Sequence, residues 1–261
     1  MKHFAVAAVL TLLTATTASA QPFEAEADLL FRQSEIREGS IDLEGVTRIR
    51  IVSNGDELQV QGLTYTDALI YSGMAWAHDL SDIDDVQVEI TRTGTLVTLE
   101  ARRPPRHEAE TRLVVNVELP DWLPVDIDDG AGTVTVRQLL RLNAVDGAGA
   151  ITIEDIAEDL TLEDGSGPVS LKGVHGSVTL LDGPGDLDVA DVGGNLNLRD
   201  GAGALRAHDV DGDVLVDDGS GGISLGRIRG DVDVRTGDTD GLDARHVGGK
   251  LTIRNDRGDL S

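Results

Sequence analysis

The chain has 261 residues, a formal net charge of −25, no cysteine and an aromatic content of 3%. That charge excludes a nucleic-acid partner, whose phosphates it would repel, and the lack of Cys excludes disulfides and thiolate metal sites. Every Phe, Trp and Tyr lies at or before Trp122, so from Leu123 onward a core can only be aliphatic, which suits a narrow interior better than a globular one.

Met1, Lys2 and His3 precede an apolar stretch from Phe4 to Leu13 and the small residues Ala18-Ser19-Ala20. This is the pattern of a signal peptide over 1–20, with the mature chain starting near Gln21 and exported to the periplasm, the cell surface or the medium. The apolar stretch is shorter than the ~20 residues of a membrane-spanning helix, and no later segment approaches that length. No transmembrane segment is therefore expected after cleavage.

Residues 21–122 read as a β-rich capping region with the first coils. Strand-like stretches fall at 48–52, 57–61, 86–91, 96–101 and 112–119, with turns at Asn54-Gly55 and Thr93-Gly94. The segment from Tyr65 to Leu80 interrupts that pattern and holds Tyr65, Tyr71 and Trp76 close together. Aromatic side chains of this kind stack on sugars or anchor a protein partner, which makes these three the candidate partner-binding residues. The same residues would equally serve as an apolar plug, because a stack of coils needs its end covered.

Residues 123–261 are a regular array. DGAG at Asp129, DGAG at Asp146, DGSG at Asp164, DGPG at Asp182, DGAG at Asp200 and DGSG at Asp218 follow at intervals of 17, 18, 18, 18 and 18 residues. Between them five columns are aliphatic. Val134, Ile151, Val169, Leu187, Leu205 and Ile223 form the first, and the others pass through Leu171, Val174, Val178 and Leu180. Their alternation with Asp, Thr, Ser, Asn and Arg is that of strands with one face buried. One 18-residue unit cannot bury its apolar face alone, whereas stacked units turn each column into a continuous internal ladder. The architecture expected is an all-β, single-stranded parallel β-helix, or β-solenoid, with 18-residue coils and an N-terminal β-rich cap. The glycines of DGxG mark one corner, and Gly176, Gly194, Gly212, Gly230 and Gly249 are expected to mark the opposite one.

EGVTRIRIVSNGDELQVQG at Glu44, VEITRTGTLVTLEARRPP at Val88, LVVNVELPDWLPVDIDDGAG at Leu113 and the coils that follow stand in the order seen in a family of exported bacterial proteins called putative adhesins, a domain of unknown function. The sequence resembles that family from about Glu38 to Ser261. The resemblance implies a right-handed parallel β-helix, consistent with the handedness of parallel crossovers. It also implies an adhesin-like role in the periplasm, the envelope or the extracellular space. It brings no catalytic motif.

The repeat-initial aspartates stack one coil apart. The expectation is that each closes its own Asx-turn while solvent screens its charge; a calcium-loaded scaffold is the alternative, and calcium would need ~6 to 8 oxygens. His175, His208 and His246 occupy different repeat positions and form no stacked ligand set, and no GxSxG nucleophile motif is present. Catalytic, metal and cofactor residues are therefore all read as none, although a polysaccharide-active enzyme of β-helix fold is the leading rival. Arg229-Gly230-Asp231 and Arg257-Gly258-Asp259 sit where the repeat already demands Gly between polar residues. The function expected is a non-enzymatic interaction or structural module, with an unidentified protein or glycan of the cell envelope as partner.

Overall fold

The computed structural model describes residues 31–104 and 110–255, of which 238–240 and 255 are described as backbone alone. The signal-peptide segment 1–20 and the second RGD tripeptide lie outside the described residues. The chain is all-β, 70% strand, and winds into a β-solenoid of about 7 turns.

The first strands are β1 (Gln33–Asp42), β2 (Arg48–Ser53), β3 (Glu57–Leu63) and β4 (Ala68–Ala77), followed by a single helical turn α1 (Leu80–Ile83). Then come β5 (Gln87–Thr93), β6 (Leu96–Arg102), β7 (Thr111–Pro120), β8 (Pro124–Asp129) and β9 (Gly132–Leu139). From β10 (Arg141–Asp146) and β11 (Gly149–Ile156) onward the coils repeat. They continue as β12 (Leu160–Asp164), β13 (Val169–Val174), β14 (Val178–Asp182), β15 (Leu187–Val192), β16 (Leu196–Asp200) and β17 (Leu205–Val210). The last elements are β18 (Val214–Ile228), β19 (Val232–Val247) and β20 (Leu251–Asn255).

Each coil contributes one strand to each of two rows, and within a row the strands of successive coils pair in parallel. Ile151 pairs with Val169, Val169 with Leu187, Leu187 with Leu205 and Leu205 with Ile223. The columns read from the sequence are thus the registers of the ladder. Leu187, Leu205 and Ile223 are 1%, 0% and 2% exposed, so the column faces inward. Each such Leu or Ile contributes roughly 1.5–3 kcal/mol by leaving water.

The lead-in departs from chain order. The coil β2–β3 lies between β6–β7 on one side and β8–β9 on the other: β2 pairs with β6 and β8, and β3 with β7 and β9. Antiparallel strands close this end. β4 runs antiparallel to both β7 and β1, and β5 antiparallel to β6. Arg37 on β1 ties the cap together, donating from Nε to the Val86 carbonyl at 3.1 Å and from Nη2 to the Ile83 carbonyl at 2.9 Å.

The two corners differ physically. At the DGxG corner the fourth residue takes positive φ in five of the six copies, +131° at Gly167, where a Cβ would lie 1.7 Å from the Gly149 carbonyl oxygen. The coils touch backbone to backbone. At the other corner the left-handed residue is not the expected glycine. It is Gln138, Asp155, Gly173, Asp191, Asp209, Arg227 or His246, all with φ between 52° and 76°. Asp tolerates that region better than most side chains. Gly176, Gly194, Gly212 and Gly230 follow three residues later, and there glycine is required by close approach: a Cβ on Gly230 would lie 2.5 Å from the Gly212 carbonyl. The next residue clamps coil to coil. Asp159 Oδ1 accepts from the Ser177 amide at 2.9 Å, Asn195 Oδ1 from Asp213 at 2.9 Å, and Asp213 Oδ1 from Asp231 at 2.8 Å.

Candidate functional site

Along β14 the side chains alternate, with Val178 and Leu180 inward and Thr179 and Leu181 outward. Two residues beyond Leu180, Asp182 falls on the inward side for the same reason. The parity holds in every coil, so Asp129, Asp146, Asp164, Asp182, Asp200 and Asp218 are 2–5% exposed and enclosed within the solenoid. The expectation of a solvent-screened turn cap is thus corrected: these aspartates are a sixth inward column. Register pairs Asp129 with Asp146, Asp146 with Asp164, Asp164 with Asp182, and Asp200 with Asp218. Ser53 lies beyond Asp129 in the same column, and Thr236 beyond Asp218.

Both carboxyl oxygens of Asp129, Asp146, Asp164, Asp182 and Asp200 are buried without a well-formed hydrogen bond among the described residues; the nearest donors, Ser53 for Asp129 and the amides of Gly147, Gly165, Gly183 and Gly201 for the others, only temper the effect of burial. At the far end Thr236 Oγ1 donates to Asp218 Oδ2 at 3.3 Å. If all were ionised, neighbours about 4.8 Å apart would repel by about 3.5 kcal/mol per pair at an effective dielectric of 20. A proton between two carboxyls turns that repulsion into a hydrogen bond. Burial accordingly pushes Asp129 up to about 7, with Asp146 reinforcing the shift while Ser53 and Arg103 oppose it. Burial pushes Asp146, Asp164 and Asp200 up to about 6, helped in each by the carboxyl of the next coil. Asp182 and Asp218 are raised by burial as well. A folded pKa above the unfolded value means stabilisation that is complete below the ordinary carboxylate range and is lost as pH rises through 6 to 7.

Chemically, this column can hold protons. It is sealed from any substrate, so it cannot be the cleft of a polysaccharide-active enzyme. Adjacent aspartates offer at most four oxygens to each gap, fewer than calcium takes, and among the described residues no three His, Asp or Glu side chains converge on one point.

The aromatic candidates separate by strand parity. On β4, Tyr71 faces inward with 8% exposure and donates from its hydroxyl to the Val88 carbonyl at 3.1 Å. Its ring covers Gly39, where a Cβ would meet Cε1 at 2.7 Å, so Tyr71 seals the cap and presents no surface to a partner. Trp76, on the other face of β4, is half-buried, with the Arg112 guanidinium 5.2 Å from its ring centroid. Tyr65, in the loop from β3 to β4, is 99% exposed. Trp122, in the loop from β7 to β8 and not anticipated from sequence, is 48% exposed. Their loops are joined: Thr64 Oγ1 donates to Asp121 Oδ2 at 2.7 Å, and the Asp121 amide to the Leu63 carbonyl at 3.2 Å.

His175 and His246 line a shallow groove of about 910 Å³ at the left-handed corner. Its arginines are matched: Arg227 to Asp209 at 2.6 Å and Arg229 to Asp211 at 2.7 Å. Hydrogen bonds from Arg227 and His208 hold the Asp209 carboxyl well below the usual range. The first RGD tripeptide is absorbed by coil stacking, with Arg229 paired to Asp211 and Asp231 Oδ1 accepting from the Lys250 amide at 2.7 Å.

These features define a β-solenoid with an acidic internal column and a joined aromatic corner at its capped end. No protein-family model matches the sequence, and no curated protein matches it. The chain is similar to the solved structure of a putative adhesin from Bacteroides fragilis, with 13% identity, TM-score 0.45 and coverage of 86% of this chain and 97% of that one. It is also similar to a putative cell adhesion protein from Clostridium sporogenes, at 11% identity and TM-score 0.38 over 85% and 99%. A third similar structure is a putative lipid binding protein from Parabacteroides distasonis, at 12% identity and TM-score 0.38 over 85% and 97%.

Proposed function

We propose that this chain is an exported, adhesin-like β-solenoid that works without catalysis, presenting a rigid aromatic corner to a glycan or protein of the cell envelope or its surroundings. In this reading residues 1–20 are the signal peptide, 21–122 the cap with the first coils, and 123–261 the regular repeats. The observation that carries it is Tyr65 together with Trp122. Both stand in water, on two loops bonded to each other and anchored in a parallel ladder, in a chain with 3% aromatic residues. Exposed Trp and Tyr on a rigid support lose little entropy on binding and dominate recognition energetics. The ordered carboxylates, the feature an enzyme would use, are enclosed.

The test is binding of the purified protein to a glycan array and to whole bacterial cells, beside the variants Tyr65→Ala, Trp122→Ala and both together. An anchor residue at an interface is worth about 2 kcal/mol, so each single variant should lose roughly 30-fold in affinity with its thermal midpoint unchanged. Binding that survives the double variant refutes this surface.

A further inference from the structure

The internal column has a stoichiometry. Six carboxyls leave five gaps, four between register partners and the fifth, between Asp182 and Asp200, close enough for their charges to repel, and one proton suffices to bridge each. The hydroxyls at the two ends are both donors: Thr236 donates to Asp218, and Ser53, whose Oγ already accepts from the Gly55 amide at 3.0 Å, has its own proton free for Asp129. A column capped by donors at both ends is satisfied by five protons and keeps one negative charge. The charged groups that bear on it are few. Arg103, ion-paired with Asp56 at 3.1 Å, attracts at the Asp129 end, and Asp217 repels at the Asp218 end.

We propose that the aspartate column is a proton-operated lock, in which the coils from β8 to β19 close around about five shared protons and loosen cooperatively when those protons are withdrawn. The lock follows from geometry. The column runs through every coil of that array, at one residue per coil, with apolar side chains two residues before each aspartate. Ionising one member places a bare charge against its neighbours above and below, so the cost spreads along the stack. The rod is tight in acidic surroundings and loosens above neutral pH. Burial holds Asp129, Asp146, Asp164 and Asp200 near 6 to 7, which places the transition there.

The deciding measurement is proton uptake by the wild-type protein. The native and the urea-unfolded chain are titrated from pH 8 to pH 5, where free aspartates with an ordinary value of 3.8 are still ionised. The native chain should take up about five more protons than the unfolded one, and its urea midpoint should fall steadily from pH 5 to pH 8. In Asp182→Asn the amide donates where a proton bridged before, so uptake should drop by one to two and the fall in midpoint should shrink. Equal uptake by native and unfolded wild-type chains, to within one proton, overturns the lock. So does a midpoint at pH 8 restored by millimolar calcium, which would make the column a cation store. Neither outcome touches the aromatic corner.

Discussion

Replacing Gly167 by Ala tests the backbone contact between coils. A Cβ there would lie 1.7 Å from the Gly149 carbonyl oxygen and 2.7 Å from its carbon, and both are main-chain atoms that no rotamer change can move aside. The residue also sits at φ +131°, a region that side-chain-bearing residues occupy at a cost of about 1–3 kcal/mol. Relieving the clash means parting the coils, which strains the bonds from the Gly149 amide to the Ser166 carbonyl at 2.9 Å and from the Ile151 amide to the Pro168 carbonyl at 3.1 Å. At about 1 kcal/mol for each bond, the expected loss is roughly 3–5 kcal/mol. Two other glycines calibrate it. Gly94 has φ +63° with nothing within 4 Å, so Gly94→Ala should lose only the ~1–2 kcal/mol of the left-handed region. Gly222 has open space and ordinary φ, so Gly222→Ala should stay within ~0.5 kcal/mol of wild type. Urea unfolding at one pH, read as midpoint shifts at constant slope, ranks the three. Equal losses in all three variants, or a Gly167→Ala protein within ~1 kcal/mol of wild type, would refute backbone stacking as the reason for the corner glycines.

Leu171 is 1% exposed between Ile153 and Val189, whereas Leu181 points outward at 42%. Leu171→Ala should therefore lose about 2–5 kcal/mol and Leu181→Ala about 0.5 or less in the same urea assay. Tyr71→Phe removes the donor to the Val88 carbonyl and leaves that oxygen buried; a loss of about 1–2 kcal/mol is expected, seen as a lower thermal midpoint. Arg227→Ala breaks an exposed pair with Asp209, and calorimetry should find a thermal midpoint close to that of the wild type, with the difference smaller still at high salt.

The repeat array was legible because its signal is chemical: a core of aliphatic columns admits one stacking, and Ile151, Val169 and Leu187 pair where their spacing puts them. The aspartate column was equally present in the parity of Leu180 and Asp182, but Asp-Gly also reads as a turn, and the turn reading hid the inward direction. Parity likewise separates Tyr71 from Trp76 on β4, a distinction that proximity in sequence does not make. Trp122 lies in the short connection between Pro120 and Pro124, where no strand alternation shows which way a side chain points; its size in an aromatic-poor chain is the signal available. The placement of β2–β3 between two later coils left no trace, because a strand pattern records which face is buried and says nothing about which neighbour lies above or below.

That placement bears on how the rod responds to force. An ordinary solenoid coil at an end holds one neighbour and can be peeled away alone. Here a pull on β2–β3 works against two ladders at once, toward β6–β7 and toward β8–β9. A load applied at this end is spread into the body of the rod instead of unzipping it turn by turn. During synthesis, the same coil must wait until residue 139 has emerged before both its edges are filled.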